Sequence, residues 1–131
     1  MILVDSSVWI DYFNGANNPY TAKLDLLLGV ELIAIGDIIL TEILQVFQND
    51  KDFSTAKAVL LSLTIFDMLG LQNAIVAAEN FRFLRKQGIT IRKTIDCMIA
   101  TFCIQNGHQL LFCDKDFQPF VEYLSLGVVD V

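Results

Sequence analysis

The chain is poor in the residues that build many kinds of site. Its 131 residues hold one histidine, two prolines and three cysteines, and nine Lys and Arg stand against fifteen Asp and Glu, a net charge of −6. Each shortage excludes something. One histidine, His108, leaves no His-rich metal centre and argues against a Ser-His-Asp triad. The cysteines, Cys97, Cys103 and Cys113, are odd in number, form no CxxC and lie in apolar segments. They read as reduced core residues. The acidic balance speaks against a general nucleic-acid binder, which is usually basic, unless several of the carboxylates hold metal. Long apolar runs are missing too. The most apolar region, Val30 to Val46, is broken by Glu31, Asp37, Glu42 and Gln45, whereas a membrane span needs roughly 20 apolar residues. Asp5 follows only four residues after the start, so the reading is of a cytoplasmic protein without a signal peptide.

Apolar residues, by contrast, are plentiful: 54% of the chain, with a mean hydropathy of +0.53. The length suits one domain, residues 1–131, with a sizeable core. The apolar excess points to a buried interface with another copy or a partner.

Short β-branched apolar runs alternate with helical patterns. Met1 to Val4, Glu31 to Ile35, Thr64 to Met68, Gln109 to Cys113 and Val128 to Val131 read as strands. Between them fall helices from Ser6 or Ser7 to Asn14, Pro19 to Leu28, Ile39 to Asn49, Asp52 or Ser54 to Leu63, Leu71 to Gln87, Thr94 to Gly107, and Asp116 to Leu124. The pattern implies an α/β fold with a mostly parallel central sheet of about five strands flanked by helices. Sites in such folds lie beyond the carboxyl ends of the strands.

Four acids stand where apolar segments end or helices begin: Asp5 in ILVDSSVWID, Glu42 in IILTEIL, Asp96 in RKTIDCMIA and Asp114 in LLFCDKDF, with Asp116 two residues on. Singly, Asp5 and Asp96 can be read as helix caps or first-turn acids, Glu42 as a solvated helix residue, and Asp114 and Asp116 as caps of the last helix; that plainer reading is favoured for every one except Asp5. Together, with Asp5 and Asp114 at strand ends, they favour a convergent site. Clustered carboxylates stay ionised only beside a cation, and oxygen-only ligation selects Mg²⁺ or Mn²⁺ over Zn²⁺.

These same segments, in order and over essentially the whole chain, resemble the signatures of PIN-domain ribonucleases, and among them the VapC-type toxins of toxin–antitoxin pairs. The resemblance implies a Mg²⁺- or Mn²⁺-dependent endoribonuclease toxin of a type II system, with Asp5, Glu42, Asp96 and Asp114 as the acidic quartet. Asp116 matches an accessory acid and Ser7 a small polar residue two positions after the first Asp. Asp5, Asp96 and Asp114 are the expected metal ligands, while Glu42 either ligates or orients the attacking water. A VapB-type antitoxin and an RNA substrate are the implied partners. Cys113 departs from the pattern, standing where relatives often carry Thr or Ser, which removes a hydroxyl beside Asp114.

Arg82, Arg85, Lys86, Arg92 and Lys93 account for five of the nine basic residues. They suit either a helix C-terminus or RNA phosphates, with Arg92 and Lys93 favoured for RNA. Trp9, Tyr12 and Phe13 read as packing residues, Asp11 as solvated and His108 as exposed in a turn. Two rival classes remain: a non-catalytic RNA- or partner-binding module whose acids are structural caps, and an aspartyl-phosphate protein. The second fits less well, because Ser7 stands where a DxD pattern needs its second Asp and Lys115 is only a loose match to a receiver lysine. The apolar excess further predicts a homodimer.

Overall fold

The computed structural model describes residues 1–131. Five strands form one sheet: β1 (Ile2–Val4), β2 (Ile33–Gly36), β3 (Thr64–Phe66), β4 (Gln109–Leu111) and β5 (Gly127–Val128). Their order is β3-β2-β1-β4-β5, and every pairing is parallel. Parallel strands need helical crossovers, and the chain supplies α1 (Ser6–Phe13), α2 (Pro19–Leu27), α3 (Asp37–Leu44), α4 (Asp50–Leu61), α5 (Leu71–Lys86), α6 (Thr94–Asn106) and α7 (Gln118–Leu124). The central strands are continuous apolar runs because helices cover both faces. Leu3, Val4, Ala34, Ile35, Leu110 and Leu111 are fully buried.

The sequence places the elements correctly and misjudges several ends. Gln45 to Asn49 is not helical: α3 stops at Leu44, and Asn49 caps α4 by accepting from the amides of Lys51 and Asp52. The cap therefore falls before the expected Asp52 or Ser54. Thr94 opens α6 from inside, with Lys93 at the cap position. Strand β4 ends at Leu111, so Phe112, Cys113 and Asp114 run past the sheet rather than completing it. The last strand is Gly127–Val128, ahead of the expected run.

Gly36 ends β2 at a point of close approach: a Cβ there would lie 1.8 Å from Sδ of Met68. The same corner is tied by the Met68 amide donating to Asp37 Oδ1 at 2.9 Å. This fixes where β2 turns into α3, the helix that carries Glu42. Two further expectations fail. Cys97 and Cys103 are buried but Cys113 is exposed, since it lies beyond the end of β4. His108 is half-buried rather than free, its ring stacked 5.2 Å from that of Phe66, with Nδ1 3.3 Å from the amino terminus. Trp9 is fully buried and stacks on Phe13, as packing requires.

Candidate metal centre

The acids meet at the carboxyl edge of the sheet. Asp5 follows β1, its amide donating to the carbonyl of Leu111 at the end of β4. It occupies the N-cap position of α1, yet its side chain makes no capping bond. Instead it accepts from the Ser7 hydroxyl at 2.7 Å. Asp5 is 5% exposed. Burial pushes its carboxyl above the usual range; Ser7 and nearby amides oppose this, and Asp114 adds to it.

Asp96, in the first turn of α6, is equally buried, and its Oδ2 has no hydrogen-bond partner. Its pKa is raised to about 7, first by burial, then by Asp5, with Asp114 and Glu42 adding to the rise and Lys93 opposing it. A carboxylate serving only as a first-turn acid would gain from the helix dipole and have no reason to titrate near neutrality. Glu42 comes from α3. Its Oε1 is also buried and unpartnered. Burial and the charge of Asp5 raise its pKa, with Ser6 and Lys93 opposing.

The outer acids are better supplied. Past β4 the chain makes a 3₁₀ turn over Lys115–Phe117, capped by Asp114, whose Oδ1 accepts from the Asp116 amide at 2.9 Å. The capping role weighed for Asp114 is therefore real. That turn folds Asp116 back, so that one oxygen each from Asp96, Asp114 and Asp116 lie within 4.8 Å of one another. Arg92 donates Nη2 to both oxygens of Asp116, at 3.1 and 3.0 Å, and Lys93 Nζ stands 3.7 Å from Asp114 Oδ2. Cys113 Sγ lies 3.8 Å from the Ser7 hydroxyl.

The trio brought together thus includes Asp116, expected only as an accessory, and not Asp5, whose charge Asp96 nonetheless feels. The signal for this was present in Asp-Lys-Asp, since an Asp that caps a residue two positions on bends the chain into a turn. The Arg92–Asp116 pair had no such signal, being 24 residues apart in sequence. The donor set fits a hard divalent cation: all carboxylate oxygens, two of them buried without partners, and no histidine or thiolate among them.

An all-parallel sheet in this order, with acids from four segments at its carboxyl edge, defines a class. The PIN domain model matches residues 2–121, and the chain belongs to the PIN-domain family. Within it, the chain is 30% identical over 131 residues to the VapC ribonuclease Mb1587 of Mycobacterium bovis, covering 96% of each. Among solved structures, it is similar to VapBC2 from Rickettsia felis bound to a promoter DNA fragment, with a TM-score of 0.76, 22% identity and 98% of each chain covered. A toxin–antitoxin complex from Klebsiella pneumoniae gives a TM-score of 0.66 at 21% identity, covering 99% of this chain and 97% of that one. At these identities the two structures establish the fold. No helix is long and apolar enough to cross a membrane.

Proposed function

We propose that this protein is a divalent-metal-dependent endoribonuclease, the toxin of a type II toxin–antitoxin pair, acting in the cytoplasm. One observation carries the metal requirement: Asp96 is buried with an unpartnered oxygen beside Asp114 and Asp116. Such a group is costly unless protonated or neutralised by a cation. The VapC ribonuclease relative supports RNA as substrate.

Asp5, Asp96, Asp114 and Asp116 would hold Mg²⁺ or Mn²⁺. When bound, the ion supplies positive charge to the phosphoryl oxygens and makes water a stronger nucleophile. Ser7 fixes the orientation of Asp5 through its 2.7 Å bond. Glu42, with its raised pKa and free Oε1, is suited to orient the attacking water and accept its proton. Arg92 and Lys93 are mostly exposed beside the acids and meet the phosphate backbone.

The test is cleavage of end-labelled cellular RNA with Mg²⁺ or Mn²⁺, with excess EDTA, and with Asp5→Asn. Cleavage that needs the ion and Asp5 supports the reading, and mapped ends identify the target. Undiminished cleavage in EDTA rejects the mechanism. Absence of any specific divalent site by titration favours the non-catalytic module.

The likeness to VapBC2 and to the toxin–antitoxin complex supports an antitoxin partner, which on this reading is of VapB type. Its binding segment should direct an Arg or Lys into the acidic edge, where a cation offsets carboxylate repulsion and competes with the metal. A homodimer accounts for apolar residues left at the surface, among them Leu69, Leu71, Ile75 and Phe83 on or before α5. Sedimentation as a monomer at high micromolar concentration, or purification without a small partner after co-expression with the neighbouring gene, would count against these assignments.

A further inference from the structure

We infer that Arg92 is a displaceable internal counter-ion, which holds Asp116 while no divalent cation is bound and whose release couples cation binding to the grip on RNA. The inference rests on the metal-dependent ribonuclease reading and adds a role for Arg92 to it.

Three observations combine. Asp116 belongs to the compact trio with Asp96 and Asp114. Both of its oxygens are already engaged by Arg92 Nη2. The guanidinium side chain is 74% exposed, whereas Asp116 is only 17% exposed. A solvent-borne cation therefore reaches inward to an acid lying mostly beneath the surface. Exposed pairs of this kind are weak, and here a single nitrogen, Nη2, is shared between both carboxylate oxygens rather than two nitrogens forming a fork.

A divalent cation that draws on Asp116 meets Arg92 as a competitor, because two positive groups on one carboxylate repel each other. For either oxygen to serve the ion, the guanidinium must give that oxygen up; in the inferred latch it leaves both. Arg92 then stands free at the rim of the acidic edge, its charge no longer cancelled by Asp116 and directed to the solvent side, where a phosphodiester arrives. Lys93 lies 3.7 Å from Asp114, too far for a direct bond, so it contributes a field rather than a latch. Lys115, in the 3₁₀ turn between the two acids, forms no ion pair with either. Arg92 is thus the cation whose contact must be exchanged. Because coupling between binding sites is reciprocal, RNA that captures Arg92 also leaves Asp116 available and tightens cation binding.

The experiment uses the full chain and does not depend on turnover. Mn²⁺ binding is titrated by calorimetry in wild type, Arg92→Ala and Arg92→Lys. Binding of a non-cleavable methylated RNA oligonucleotide is followed by anisotropy with and without Mn²⁺. Arg92→Ala should bind Mn²⁺ about two- to fivefold more tightly, the range a weak exposed pair supports. The gain in RNA affinity on adding Mn²⁺ should shrink by a similar factor. Arg92→Lys, which keeps the charge but replaces the planar guanidinium by a compact, strongly hydrated ammonium, should fall between. Asp116→Asn gives an independent check: without Mn²⁺ it frees the same guanidinium and should bind the oligonucleotide more tightly than wild type does. Unchanged or weaker Mn²⁺ binding in Arg92→Ala, with coupling intact, overturns the latch and leaves Arg92 as a pin for the turn, while the ribonuclease reading stands. A wild-type chain with no specific Mn²⁺ site removes both.

Discussion

The acidic edge has two halves that differ in how their charge is met. The inner half, Asp5, Asp96 and Glu42, is buried or half-buried, and all three acids have raised pKa values. No basic side chain forms an ion pair with any of them. The outer half, Asp114 and Asp116, is more open and supplied with cations, Lys93 beside one acid and Arg92 on the other. Protein charges thus satisfy the acids that solvent could have satisfied, and leave unmet those that solvent cannot reach. A structural ion-pair network would be expected to do the reverse, because an unmet buried charge costs most. The inner half therefore fits the proposed reading, in which a cation arrives from outside the chain.

The largest expected effect follows from removing an inner acid. Asp96→Asn should lower RNA cleavage at least about 100-fold, more than the roughly 10- to 100-fold that loss of a supporting outer partner costs. The same variant should be more stable than wild type without metal. Asp96 binds its proton more tightly folded than unfolded, its pKa rising from 3.8 to about 7. Metal-free stability is thus full below the unfolded value and declines as pH rises toward about 7. The melting advantage of Asp96→Asn should appear at neutral pH, on the order of 4 °C for each kcal/mol recovered, and vanish near pH 3.8. Thermal melts at both pH values, with EDTA present, check this. Equal destabilisation at both would mean that Asp96 is a structural cap and erase the contrast between the halves.

Proton competition gives the next effect. Cation binding requires Asp96 ionised, so Mn²⁺ affinity should rise about tenfold per pH unit below about 7 and level off above it. Calorimetry in buffers of different ionisation enthalpy should detect close to one proton released per ion near pH 6. A flat profile would show that Asp96 is already ionised without metal.

Ser7→Ala tests how the inner half is held. It removes the 2.7 Å bond to Asp5 Oδ2 while leaving every carboxylate in place. Cation affinity should fall by about 10- to 100-fold, as for other supporting partners, with little change in melting temperature. An unchanged affinity would make Ser7 incidental to the site.

The two halves also differ in how far they could be read from the residues. Asp5 declares itself because a carboxylate at the end of an apolar run is expensive, and that expense is written locally; Asp96 does so only in company with the other acids. The alternation that places them at one edge is local as well, and the all-parallel sheet follows from it. The outer half depends on contacts that local pattern does not encode. Arg92 reaches Asp116 across 24 positions, and Asp116 joins Asp96 only because a 3₁₀ turn follows a strand that ends early. The apolar flanks of Cys113 suggested a buried strand, but register with β1 stops at Leu111. His108 was misjudged for the same reason, since its ring partners, Phe66 and Phe102, come from β3 and α6.

The smallest effect belongs to Lys93, whose charge acts on both halves. It stands 3.7 Å from Asp114 in the outer set and lowers the pKa of Asp96 and Glu42 in the inner one. Lys93→Ala should therefore move the rise of Mn²⁺ affinity to higher pH, because the inner carboxyls lose a charge that helps them ionise. It should also flatten the salt dependence of RNA binding by up to about one unit of slope, the signature of one lost phosphate contact. These outcomes are separable. A moved pH profile with an unchanged salt slope would make Lys93 a partner of the acids alone. A flatter slope with a fixed profile would make it a phosphate contact alone. Both changes together would show that one side chain serves the inner acids electrostatically while meeting the substrate from the outer rim.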